Sequence, residues 1–204
     1  MIRLIQLDGV TQMLDSKQIQ KWMQLFAKEI ATNKEYLSDL DDAIGDGDHG
    51  NNMDRGMIAV IENLEEKNPT EIADSFKVIA MALMTKVGGA SGPLYGTAFL
   101  EMAKAAQNSE DLAELIAAGT AGIAKRGGAS AADKTMLDVW IPTSEVLKNG
   151  QLTAEKVDSF VESTKDMQGK KGRSSYLGER SIGHIDPGAA SSGMLFKTLI
   201  EVTK

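Results

Sequence analysis

Apolar residues recur along most of this chain at helical spacing. After Asp15 or Ser16, Ile19, Trp22, Met23, Phe26 and Ile30 fall on one stripe, three or four residues apart. A second helix is predicted from about Asn33, with Tyr36, Leu37 and Leu40, running into a group of aspartates. A third follows with Met53, Met57, Val60, Ile61 and Leu64. Thr70 is read as the cap of a helix bearing Ile72, Phe76, Ile79, Leu83 and Val87. Pro93 suits the first turn of the next, with Leu94, Ala98, Phe99 and Met102. Ser109 precedes a further one with Leu112, Leu115, Ile116 and Ile123. Met136, Val139, Trp140, Val146 and Leu147 predict a helix kinked or interrupted near Pro142. Thr153 caps another with Val157, Phe160 and Val161, and the last holds Met194, Leu195, Leu199 and Val202. No segment alternates as a strand would, and no internal repeat is visible.

The expected fold is therefore all-α: an antiparallel up-and-down bundle or closed barrel of about eight helices, built as one domain over residues 1–204. Four connections are rich in glycine: 41–50, "GGASGP", "KRGGASAAD" and 169–188. They alternate with plainer ones. In an up-and-down arrangement alternate loops share an end, so these four gather into one composite site.

Composition narrows the chemistry. The chain is 42% hydrophobic, enough for a core, and carries a net charge of −7. That balance argues against nucleic acid and anionic membranes, which attract basic faces. With no cysteine, thiolate metal sites, disulfides and cysteine nucleophiles are excluded. The opening "MIRLIQLDGVTQML" is too short and too polar for a secretory or membrane-spanning segment, and the expected compartment is the cytoplasm.

Five aspartates lie between Asp39 and Asp48. Gly45 and Gly47 let Asp46 and Asp48 converge with Asp41, and three carboxylates without sulfur ligands suit a hard cation such as Mg²⁺. An EF-hand is excluded, because Asn51 and Met57 stand where its glycine and glutamate belong. A lone Asp-Gly-Asp would read as a solvated turn. The next residues, His49, Gly50, Asn51 and Asn52, open a helix whose N-terminus favours phosphate. Gly88 to Ser91 could cradle phosphate too, although the segment is no Walker loop. Arg173 and Arg180 are available to anions; Asp186-Pro187-Gly188 turns into the last helix. Met136 is a core residue or a nucleobase contact.

Taken together, "LDDAIGDGDHGNNMDRG", "GGASGPLYGTAF", "DKTMLDVW" and "GRSSYLGERSIGHIDPGA" resemble the nucleotide-binding L subunits of dihydroxyacetone kinases, from about Leu14 to Val202. The resemblance implies an eight-helix barrel with nucleotide at one end. It implies that Asp41, Asp46 and Asp48 bind two Mg²⁺ ions, and that His49, Gly50, Asn51 and Asn52 touch phosphate. Ala90, Ser91 and Leu94 would line the ADP/ATP site, and Gly127, Met136, Arg173, Asp186, Pro187 and Gly188 would complete it. Asp39 and Asp42 match no required position. Ala132 stands where the family has glycine, and Ser174 where it has alanine. The implied partners are a dihydroxyacetone-binding K subunit and a phosphohistidine carrier subunit of the phosphotransferase system. The length is that of the split form of the kinase, with bound ADP serving as a cofactor. Two other readings stay open: an ATP-dependent kinase subunit for another small ketose, and a non-catalytic helical nucleotide-binding module.

Overall fold

The structure, a computed structural model, describes residues 13–150 and 152–204. The opening "MIRLIQLDGVTQ", read above as neither secretory nor membrane-spanning, lies outside the described residues. Eight α-helices follow in order: α1 (Ser16–Ile44), α2 (His49–Lys67), α3 (Ile72–Lys86), α4 (Ser91–Ala105), α5 (Leu112–Gly127), α6 (Leu137–Leu147), α7 (Ala154–Ser163) and α8 (Pro187–Val202). Each packs on the next in sequence, and α8 packs back on α1, so the ring closes. No helix among the described residues is long and apolar enough to cross a membrane.

The helix starts follow local chemistry. Asp15 caps α1 by accepting from Gln18 N at 2.7 Å, while the Gln18 side chain accepts from Asp15 N at 3.0 Å, a reciprocal capping box. Thr153 caps α7 through Lys156 N. One expected cap is displaced. Thr70 gives way to Glu71 ahead of α3, and α5, which Ser109 was read only as preceding, is capped by Asp111 through Ala113 N and Glu114 N. Two expected breaks do not occur. The first two predicted helices are one, α1, which bends where Asn33 departs from helical geometry (φ −109°, ψ 15°). Pro142 sits within α6 without ending it. The merger leaves an odd connection fewer ahead of the acidic turn and does not alter the alternation of loops, so the four glycine-rich connections still share an end.

The barrel is filled by large side chains. Trp22, Phe26, Phe76, Tyr95, Phe99, Trp140 and Phe196 are all fully buried. Trp140 meets Phe196 edge-on with centroids 4.9 Å apart. Trp22 Nε1 donates to the Leu195 carbonyl at 2.8 Å, fastening α1 to α8 where the ring closes. The long connection 169–188 contains a 3₁₀ segment, Arg173–Ser181, interrupted where Gly178 leaves helical geometry (φ 57°, ψ −129°). It is held by Ser181 Oγ, which accepts from Gly169 N at 2.8 Å, and by Gly183 N, which donates to the Lys165 carbonyl at 2.8 Å.

Candidate nucleotide and metal site

The acidic turn is built from the end of one helix and the start of the next. Asp41 lies in the last turn of α1, and its Oδ2 accepts from Asp48 N at 2.9 Å and His49 N at 3.1 Å. Those two bonds fold the turn back on the helix, with Gly47 at φ +74°, a conformation that favours glycine. One carboxylate oxygen each from Asp41, Asp46 and Asp48 then lies within 4.8 Å of the others. Burial raises the pKa of Asp41; its two backbone hydrogen bonds oppose the shift, and Asp46 and Asp48 add to it. Three hard oxygen donors so close, and an acid whose ionisation is opposed, fit a divalent cation. Asp39 and Asp42 stand outside this triad.

The triad opens into a cleft of about 680 Å³, a volume suited to a small-molecule ligand. Asn52 and the segment from Gly88 to Ser91 form one wall. Asn52 Oδ1 accepts from Arg55 Nη2 at 2.6 Å, and Arg55 Nε donates to the Lys86 carbonyl at 3.0 Å. The end of α3 is thereby tied to α2. Gly89 then turns through φ +64°, and α4 begins at Ser91 without a side-chain cap. Leu94, Ile123, Met136 and Leu137 contribute apolar lining to the cleft, with Gly127 beside Leu94. Across the mouth, Arg173 Nη2 lies 2.7 Å from Asp46 Oδ2.

His49 is buried beneath the turn. Its Nδ1 lies 3.1 Å from Ser91 Oγ and its Nε2 2.9 Å from Ser191 Oγ. Burial pushes its pKa down to about 4, against the pull of Asp48, so the ring is neutral at pH 7. Asp186 caps α8, with Oδ2 accepting from Ala189 N at 2.7 Å and Pro187 in the first turn. Burial pushes its carboxyl up to about 7; the Ala189 bond and Lys134 oppose this. Burial also raises the Tyr95 phenol, which stays protonated.

Fourteen of the sixteen residues singled out from the sequence line this cleft: Asp41, Asp46, Asp48, His49, Asn52, Ala90, Ser91, Leu94, Gly127, Met136, Arg173, Asp186, Pro187 and Gly188. Gly50 and Asn51 do not. Gly50 lies against α1, where a Cβ would run into the Lys34 carbonyl oxygen, and Asn51 is exposed. Sequence reasoning missed Lys134. It is 1% exposed, lines the cleft, and its Nζ donates to the carbonyls of Thr164, at 2.6 Å, and His184. Burial lowers its pKa; Asp186, Asp138 and Asp166 oppose that shift. A charged residue between Asp133 and an apolar run was the available signal. The true work at that helix start falls to Asp138, whose carboxylate accepts from Ala132 N at 2.5 Å and Thr135 N at 2.8 Å.

The model of the DAK2 domain matches residues 43–201. A Listeria innocua protein named as the ADP-binding subunit DhaL of a PEP-dependent dihydroxyacetone kinase is 50% identical over 185 residues, covering 89% of this chain and 93% of its own. The Escherichia coli protein of the corresponding name is 40% identical over 207 residues, covering 94% and 99%. The dihydroxyacetone kinase of C. freundii, solved in complex with AMP-PNP and Mg²⁺, shares the fold with a TM-score of 0.75 at 21% identity. The match covers 98% of this chain and 37% of that one. The relatives are phosphotransferase components. This chain belongs to the DAK2-domain family, in its branch of ADP-binding DhaL subunits of dihydroxyacetone kinase.

Proposed function

We propose that the whole chain acts as one nucleotide-binding unit, holding ADP or ATP with two Mg²⁺ ions in the cleft. It serves transfer of a phosphoryl group from a phosphohistidine carrier to dihydroxyacetone on a separate K subunit, in the cytoplasm. The observation that carries this reading is the triad Asp41, Asp46 and Asp48, within 4.8 Å, lining a cleft that apolar Leu94, Ile123, Met136 and Leu137 also line. The polarity of the cleft fits a nucleotide with its phosphates at the triad and its base toward Leu94 and Met136.

Phosphoryl transfer asks for alignment and charge neutralisation more than for a protein nucleophile. The Mg²⁺ ions, when bound, offset phosphate charge. The chain's own residues do the rest. Asp41, Asp46 and Asp48 hold the cations. The uncapped start of α4 and the Ser91 hydroxyl face the anionic groups. Arg173 offers a guanidinium at the mouth, and Asp186 to Gly188 close the side near Met136. Ile123, Leu137 and Met136 exclude water from the base.

The test is phosphate transfer to dihydroxyacetone from phosphoenolpyruvate, with K subunit and carrier proteins supplied. Transfer that depends on this chain, and falls at least a hundredfold in Asp48→Asn, is the expected result. Transfer undiminished by Asp46→Asn and Asp48→Asn would show the site assignment to be wrong. Turnover with ATP alone would replace the carrier with exchangeable ATP as the donor.

A further inference from the structure

A line of buried hydrogen bonds runs from the middle of the barrel to the cleft. Trp140 Nε1 lies 3.0 Å from Ser192 Oγ, and Ser192 Oγ lies 2.8 Å from the Tyr95 hydroxyl. That hydroxyl lies 2.8 Å from Ser191 Oγ, which is 2.9 Å from His49 Nε2. His49 Nδ1 is 3.1 Å from Ser91 Oγ, at the cleft wall. Trp140, Tyr95, Ser191 and Ser192 are all fully buried.

Proton counting gives this line a direction. An indole N–H donates and never accepts, so Ser192 Oγ must accept from Trp140. Among the described residues the Ser192 hydroxyl has no other acceptor than Tyr95, so it donates there. Tyr95 in turn gives its single proton to Ser191, in preference to the Gly188 carbonyl at 3.5 Å. Ser191 then has two possible acceptors, His49 Nε2 at 2.9 Å and the Gly188 carbonyl at 3.1 Å. The carbonyl lies in the first turn of α8, where the helix ladder already supplies a donor. The imidazole nitrogen is nearer and has no other donor. A run of bonds pointing one way also strengthens each member.

We propose that Trp140, Ser192, Tyr95 and Ser191 form a one-way relay that fixes His49 with its proton on Nδ1, making Ser91 a donor aimed into the cleft. His49 Nδ1–H donates to Ser91 Oγ, and the Ser91 proton is left to point at an anion. With the opposite tautomer, Ser91 would spend its proton on His49 and present only lone pairs, which repel a phosphate oxygen. Tyr95 and Ser191 are thus positioning residues for phosphate recognition, although neither lines the cleft. This inference rests on the nucleotide reading of the cleft for its ligand, but its geometry is set before any ligand arrives.

The experiment is long-range ¹H–¹⁵N spectroscopy of protein labelled at histidine, at pH 7.5, free and with Mg·ADP. The chain has two histidines, and His184→Gln assigns the signals. His49 is expected as the Nδ1–H tautomer in both states. Tyr95→Phe, which keeps the ring and removes the proton, is expected to shift it toward Nε2–H and to weaken Mg·ADP about five- to tenfold. If Tyr95→Phe does not fold, Ser191→Ala removes the donor to Nε2 directly and should give the same shift. An Nε2–H tautomer in the unaltered protein overturns the relay, as does a tautomer untouched by either substitution. Calorimetry on the same sample separates the two claims. Mg·ADP binding with His49 on Nε2 overturns the relay alone, whereas His49 on Nδ1 without binding supports the relay and overturns the nucleotide site.

Discussion

Arg173 and Asp46 pair at 2.7 Å across the mouth of the cleft, joining the 169–188 connection to the acidic turn. The guanidinium stands where a cation bound to Asp46 would compete with it. The Arg173 side chain is 65% exposed, so the pair is a weak competitor, on the order of 1 kcal/mol or less. Arg173→Gln is expected to tighten Mn²⁺ binding two- to fivefold in the absence of nucleotide, measured by electron paramagnetic resonance. With ADP present the sign reverses, because the variant lacks a partner for the phosphates. Weaker Mn²⁺ binding without nucleotide would contradict this role.

Gly50 and Asn51 separate a packing role from a binding one. A methyl group at Gly50 meets the Lys34 carbonyl and pushes α2 off α1. Gly50→Ala is expected to cost about 2–4 kcal/mol in denaturant unfolding. Asn51→Ala, on the exposed face, is expected to stay within about 0.5 kcal/mol and to leave ADP affinity unchanged.

Ala132 has φ +61°, in the left-handed region where a β-carbon is strained. The resemblance drawn from the sequence implies glycine at this position. Ala132→Gly is expected to stabilise the protein by about 1 kcal/mol, or raise Tm by about 2–4 °C, in calorimetry. A lower Tm would mean that the strain is relieved elsewhere.

Two buried groups oppose each other in acid. His49 has its folded pKa lowered from 6.5 to about 4, so between those values the unfolded chain binds the extra proton and stability rises with pH. Asp186 has its folded pKa raised from 3.8 to about 7, so over nearly the same window the folded protein binds the extra proton and stability falls with pH. Each effect is on the order of 3–4 kcal/mol, and they largely cancel. Asp186→Asn keeps a capping side chain and removes the acid. It is expected to unmask a stability that climbs from pH 4 to 6.5, read from urea unfolding at each pH. A flat profile in that variant would mean His49 is not held neutral.

The helices were legible because burial follows the period of the sequence: Ile19, Trp22, Met23, Phe26 and Ile30 are all at most 1% exposed. The gathering of the glycine-rich loops was legible because it depends only on alternation. What escaped was set by tertiary context. Asn33 looks like a break, yet its side chain donates to the Glu29 carbonyl at 2.8 Å and the helix carries on. The 3₁₀ order of Arg173–Ser181 depends on bonds from Ser181 and Lys165 that no local pattern announces. Lys134 was missed because a buried ammonium held by two carbonyls leaves no period in the sequence. Asp41, Asp46 and Asp48 were already separable from Asp39 and Asp42 by the glycines between them and by the family resemblance, and the fold brings one oxygen from each of the three within 4.8 Å of the others.

The most direct measurement is calorimetric titration of ADP into protein stripped of metal and nucleotide, with and without Mg²⁺, beside Asp46→Asn and Asp48→Asn. The cleft reading predicts tight binding that requires Mg²⁺ and weakens at least a hundredfold in either variant, while thermal stability without ligand changes by no more than a few degrees. ADP binding of equal strength with and without Mg²⁺, or unaltered in both variants, would contradict it.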